Sequence, residues 1–113
     1  MYRITYYSKK VQAEVLALPS GLQARYFALT DRMELHGPNL GEPHSKSFGD
    51  GLLELRLKSA EGIARVFYCT LIEKRIVVLH CFIKKTGKTP TRDRRLAEAR
   101  MKEVKNHAHT RPA

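Results

Sequence analysis

Tryptophan is absent, cysteine occurs twice, and acidic side chains number 11 against 21 Lys and Arg. No apolar run approaches the roughly 20 residues that a membrane-spanning helix needs, and Met1-Tyr2-Arg3-Ile4 lacks the apolar stretch of an export signal. A cytoplasmic protein without membrane attachment is expected. Cys69 and Cys81 lie inside apolar runs with no ligand pair at metal spacing nearby, which favours buried thiols of a reducing compartment over a disulfide or a zinc site. There is no phosphate-binding P-loop, no dinucleotide glycine fingerprint and no serine nucleophile elbow, so the enzyme classes built on those motifs are excluded. His107 and His109 have no carboxylate or cysteine partner at useful spacing, so no metal and no cofactor are expected.

What remains is basic. The chain of 113 residues carries a formal net charge of +10, and residues 84–113 hold ten basic and three acidic side chains. A local patch of this sign favours a polyanionic partner. With 42% hydrophobic residues the chain is long enough for one core and too short for two independent domains. A single domain over residues 1–105 followed by a flexible tail over 106–113 is expected.

Arg3 to Tyr7 reads as a short strand, with Ser8 as the cap of a helix from about Lys9 to Leu18. Ser20-Gly21-Leu22-Gln23 has the form of a capping box, and Leu22, Tyr26, Leu29 and Met33 make the stripe of a second helix that ends near His36-Gly37-Pro38. Residues 37–51, with four Gly and two Pro, predict a surface loop without regular structure. The period then changes to two: Leu53, Leu55 and Leu57 alternate with Glu54, Arg56 and Lys58. Turns at Ser59-Gly62 and Glu73-Lys74 lead into strands over Ile63 to Ile72 and Arg75 to Ile83, an antiparallel meander. Thr89-Pro90 opens a third helix with the stripe Ala97, Met101 and Val104. The order β-α-α-β-β-β-α describes an α+β fold, a twisted, mainly antiparallel sheet with its helices packed on one face.

If the leucine row faces the helices, Glu54, Arg56 and Lys58 line the other face, where Arg65, Lys84 and Lys85 can join them. Guanidinium and ammonium groups gathered on one surface can neutralise phosphates, although the same charges can also be a solvated strand face. Arg65 interrupts an apolar strand, which costs free energy unless the charge is paired, for instance with Glu54, or used. His80 within Val77-Val78-Leu79-His80-Cys81-Phe82 is either a satisfied core histidine or an acid/base group. Tyr68 either stacks on a base or fills the sheet. The stretch Lys84-Lys85-Thr86-Gly87-Lys88-Thr89-Pro90, between a strand and a helix, could cradle a polynucleotide phosphate, with Lys46, Arg92 and Arg95 as further RNA-binding cations.

The ordered set Leu53-Glu54-Leu55-Arg56, Ala64-Arg65-Val66-Phe67-Tyr68, Leu79-His80-Cys81-Phe82-Ile83-Lys84-Lys85-Thr86 and Lys88-Thr89-Pro90 resembles the phage-derived HigB-like branch of the RelE/ParE toxin superfamily, over about Tyr2 to Glu103. The resemblance implies a small RelE-like fold and a type II toxin that enters the ribosomal A site and cleaves mRNA without a metal, by attack of a ribose 2′-OH on its adjacent phosphate. Its partners would be mRNA, the ribosome and a cognate helix-turn-helix antitoxin of HigA type. By position Arg65 would stabilise the phosphorane, Arg56 would end the preceding strand motif, and Lys84 or Lys85 would close the last strand. Glu54 stands where the best-known RelE members carry lysine, and no tyrosine follows Lys85. General base and acid would then come from other groups, such as Lys46 or His80, or the branch relies on positioning and charge. Two alternatives keep the fold: a ParE-like protein that inhibits gyrase by binding alone, and a non-toxic phage-derived nucleic-acid-binding protein.

Overall fold

A computed structural model describes residues 1–85 and 90–110 of the chain. Five strands form one sheet: β1 (Arg3–Tyr6), β2 (Ser45–Ser47), β3 (Leu53–Ser59), β4 (Gly62–Leu71) and β5 (Arg75–Ile83), in the order β1-β5-β4-β3-β2. The ladder is antiparallel except for the parallel pair β1–β5, where Ile4 faces Ile76 and Tyr6 faces Val78. Three helices, α1 (Lys9–Leu16), α2 (Ser20–His36) and α3 (Thr91–Thr110), complete an α+β fold.

The first helix starts as its sequence dictates: the Ser8 hydroxyl accepts a hydrogen bond from the Val11 amide at 3.2 Å, and Val11 and Val15 are buried. It stops at Leu16, two residues short of the expected Leu18. The capping box at Ser20 does not form. Pro19 takes the cap position, Gln23 Nε2 donates to the Leu16 carbonyl, and the Glu61 carboxylate, from the β3–β4 turn, accepts from the Gly21 amide. A carboxylate at a helix amino terminus complements the helix dipole, so a residue 40 positions away does what Ser20 was expected to do. Gly37, at φ 101°, ends α2.

Three further differences come from tertiary context. Residues 37–51 hold a three-residue edge strand, β2, which pairs Lys46 with Glu54 and Ser45 with Leu55. It has no period of its own to announce it. Second, α3 continues through residues 106–110, placed by sequence in the tail, while 111–113 lie outside the described residues. Third, the helices are not all on one face. The helices α1 and α2 cover Leu53, Leu55, Leu57, Ala64, Val66, Tyr68, Ile76 and Val78, whereas α3 brings Ala97 and Met101 onto Phe67, Cys69, Val77 and Leu79 on the opposite face. Strands β4 and β5 are apolar on both sides, and a strand buried on both faces needs cover on both.

The stripe of α3 is short. It covers the β4–β5 end of its face and leaves the β2–β3 end, with Arg56 and Lys58, open. A bulge adds to this: Phe67 pairs with His80 and Tyr68 with Val78, so Leu79 is the extra residue and His80 shares the Phe67 face.

Candidate functional site

The β3–β4 register sets Arg56 directly opposite Arg65, and the β2–β3 register sets Lys46 opposite Glu54. Two like charges facing each other across strands repel. Glu54, only 1% exposed, offsets this: its Oε1 lies 3.6 Å from Arg65 Nε and 3.8 Å from Arg56 Nε. Arg65 is 9% exposed and donates from an Nη to the Ala64 carbonyl at 3.3 Å. Burial, then the neighbouring Arg56, pulls the Arg65 pKa down and Glu54 pulls it back, yet a guanidinium so far above neutrality stays charged. Arg56 reaches outward, 29% exposed, to Glu42 Oε1 at 3.3 Å.

Lys84 belongs to the same electrostatic group. Its ammonium is held below the usual lysine range, first by partial burial, then by Arg65, with Arg56 and Lys46 adding and Glu54 opposing. The Lys46 ammonium sits 5.2 Å from the centre of the Phe48 ring, which the Arg94 guanidinium also approaches, at 4.8 Å. His80 Nε2 is 2.6 Å from Asp93 Oδ1, and the imidazole stacks on Phe82, the residue opposite Arg65, at a ring separation of 5.6 Å. The His80 Nδ1 is buried without a hydrogen-bond partner among the described residues. A histidine oriented by a carboxylate is neither a plain core residue nor a solvent-exposed one; it can accept a proton and share it.

The structure thus gathers Arg56, Arg65, Lys46 and Lys84, with Lys58 on the same face as Arg56. Lys85 is exposed beside Lys84, and Arg92 and Arg95 are exposed on the first turns of α3, where Arg94 makes the ring contact instead. Lys88 lies outside the described residues. Tyr68 is a correction. It is fully buried on the α2 face, where its hydroxyl bonds with Ser45 Oγ at 3.1 Å and donates to the Pro38 carbonyl at 2.5 Å, which leaves no ring face for a base.

Two residues that sequence reasoning passed over complete the surface. Around the β2 edge Arg25 of α2 and His44 join Arg56, Lys58 and Arg65 to line an open cleft of about 580 Å³. Arg25 carries no signal beyond a polar helix position, and His44 sits in a glycine- and proline-rich loop; only the placement of α2 against that edge brings them together. The two cysteines are free and buried, their thiols pushed up to about 11 by burial. Among the described residues no group of three or more His, Cys, Asp or Glu is placed to hold a metal ion, and no helix is long and apolar enough to cross a membrane.

The α+β sheet is thus covered on both sides, with one corner left open and lined by Arg25, Arg56, Lys58 and Arg65. The chain belongs to the family described as phage derived protein Gp49-like (DUF891), whose model matches residues 13–102 and so includes Arg25, His44, Glu54, Arg56, Arg65, His80, Lys84 and Asp93. That family groups with the RelE/HigB-like toxin superfamily. No curated protein matches the chain.

Proposed function

We propose that the chain is the toxin of a type II toxin–antitoxin pair, of HigB type, and that it cleaves mRNA in the ribosomal A site until a helix-turn-helix antitoxin of HigA type neutralises it in the cytoplasm. The observation that carries this reading is Arg65, a nearly buried guanidinium on a sheet face, paired with Glu54 and set opposite Arg56, beside a lysine of lowered pKa. In the reaction the ribose 2′-oxygen forms a bond to the adjacent phosphorus while the bond from phosphorus to the 5′-oxygen breaks, leaving a 2′,3′-cyclic phosphate and a 5′-hydroxyl. The proton of the 2′-OH passes to a base, and one is delivered to the departing oxygen. The negative charge that grows on the phosphorane oxygens is stabilised by Arg65 and Arg56, fixed in place before the reaction begins.

A lysine made easier to deprotonate suits the base, and His80, held by Asp93, suits the delivery of the second proton. Glu54 touches the guanidiniums and acts as a positioning residue. The test is induced expression in a host without the antitoxin, comparing wild type, Arg65→Ala and Lys84→Ala, with thermal unfolding to verify that each is folded and mapping of mRNA 5′ ends. New ends confined to translated regions and lost in both folded variants are expected. Growth arrest with intact mRNA and gyrase-linked DNA damage would overturn the nuclease reading in favour of a ParE-like gyrase inhibitor.

A further inference from the structure

The cleft at the β2 edge, which Arg65 shares, has a composition of its own. Arg25, Arg56, Lys58 and Arg65 line it, no carboxylate does, and Pro43 and Ile63 add apolar surface between the cations. Its volume of about 580 Å³ lies within the range of pockets that take molecules larger than a bare phosphate, of order 300–1,000 Å³. An Arg25 Nη lies 3.3 Å from His44 Nδ1. A guanidinium can only donate, so Nδ1 is the acceptor and the ring proton sits on Nε2, available as a neutral donor. Burial, with Arg32 and Arg25 adding, lowers the His44 pKa and keeps the imidazole in that neutral form. Glu42, paired with Arg56 on its outer side, is 70% exposed, and an exposed pair of this kind is held weakly enough for an incoming anion to displace it.

We infer that this cleft is a nucleotide subsite for single-stranded RNA, in which Arg25 and the His44 Nε2–H bind the backbone phosphate next to the one that is cut, Lys58 adds charge, and Pro43 and Ile63 pack against the sugar and base. The inference rests on the nuclease reading for its choice of RNA, and assigns to α2 and the β2 edge a part in substrate positioning.

The probe is a single-stranded oligoribonucleotide with 2′-O-methyl groups, which cannot be cut, titrated by fluorescence anisotropy over a series of salt concentrations. Arg25→Ala is expected to weaken binding about tenfold, the loss of one charge-assisted contact, and to reduce the salt slope by about 0.7. His44→Ala is expected to weaken binding several-fold with no change of slope, because a neutral donor releases no counterion. Lys10→Ala, an exposed change of the same charge on α1, is the control and leaves Kd unchanged; unchanged thermal unfolding verifies the fold of each variant. If Arg25→Ala and His44→Ala bind like wild type while Arg65→Ala abolishes cleavage, the subsite is wrong and the nuclease reading stands. If Arg65→Ala still cleaves while Arg25→Ala binds weakly, the subsite stands and the catalytic assignment falls. If Arg25→Ala weakens binding of an acidic peptide and leaves RNA binding intact, the cleft is a protein-docking site and the inference is overturned.

Discussion

The two faces of the sheet share the same strands and differ in what covers them. On one face, Leu53, Leu55 and Leu57 of β3 and Ala64, Val66 and Tyr68 of β4 lie fully under α1 and α2. On the other, the same two strands present Glu54, Arg56 and Lys58, and Arg65 and Phe67, and α3 covers only the Phe67 side. Strand alternation assigns apolar and polar residues to opposite faces, but the reach of a helix decides where a face meets solvent. The open corner therefore borrows rigidity from the closed face: Arg56 is flanked by Leu55 and Leu57, and Arg65 by Ala64 and Val66, all four locked in the core.

Adjacent residues of β3 put that comparison to the test. Leu57→Ala should cost about 3 kcal/mol of stability in denaturant unfolding, the usual loss for a fully buried leucine, whereas Arg56→Ala should cost under about 1 kcal/mol and instead depress RNA cleavage. Equal stability losses at the two positions would mean that the open corner is part of the core.

Glu54→Gln should destabilise by about 2 kcal/mol, less than the loss of a fully enclosed ion pair because Arg56 still reaches water. Denaturant midpoints measure this, and a change below about 0.5 kcal/mol, the scatter of ordinary surface substitutions, would show that the guanidiniums do not depend on this carboxylate.

The smallest effect is electrostatic. Lys84 should titrate below the ordinary lysine value near 10.4, and Lys46→Ala should move its pKa upward, by removal of a like charge, while Glu54→Gln should move it downward, by removal of an opposite one. Lysine side-chain resonances followed by NMR against pH report both. Because the folded pKa is the lower, the unfolded chain holds more protons between the two values, so this residue's contribution to stability rises with pH across that window. Opposite or absent shifts would separate Lys84 from the Arg65 group.

Much of the site was legible from strand period alone. A run of Leu-Glu-Leu-Arg-Leu-Lys can be half-buried in only one register, which put Glu54, Arg56 and Lys58 together, and a charge inside Ile63-Ala64-Arg65-Val66-Phe67 had to be paired or used. Tyr68 shows the limit. The same alternation that places Arg65 on the open face puts Tyr68, three residues on, on the closed one, where the ring fills the core instead of stacking on a base and its hydroxyl is taken up by Ser45 and Pro38. Arg25 and His44 carry no periodic signal, since a polar helix position and a loop histidine are common everywhere.

By itself the amino-acid sequence determined the α+β class, four of the five strands of the sheet nearly to the residue, the helical stripes, the basic character and the row of charges on β3, because these follow from local period, turn chemistry and composition. Tertiary structure alone decided that α3 crosses to the opposite face, that Glu61 caps α2 in place of Ser20, that Ser45–Ser47 becomes a strand, and that Arg25 and His44 meet Arg65 around one cleft. Each of those depends on contacts between residues distant in the chain, whose free energy arises only once the sheet exists to hold both partners.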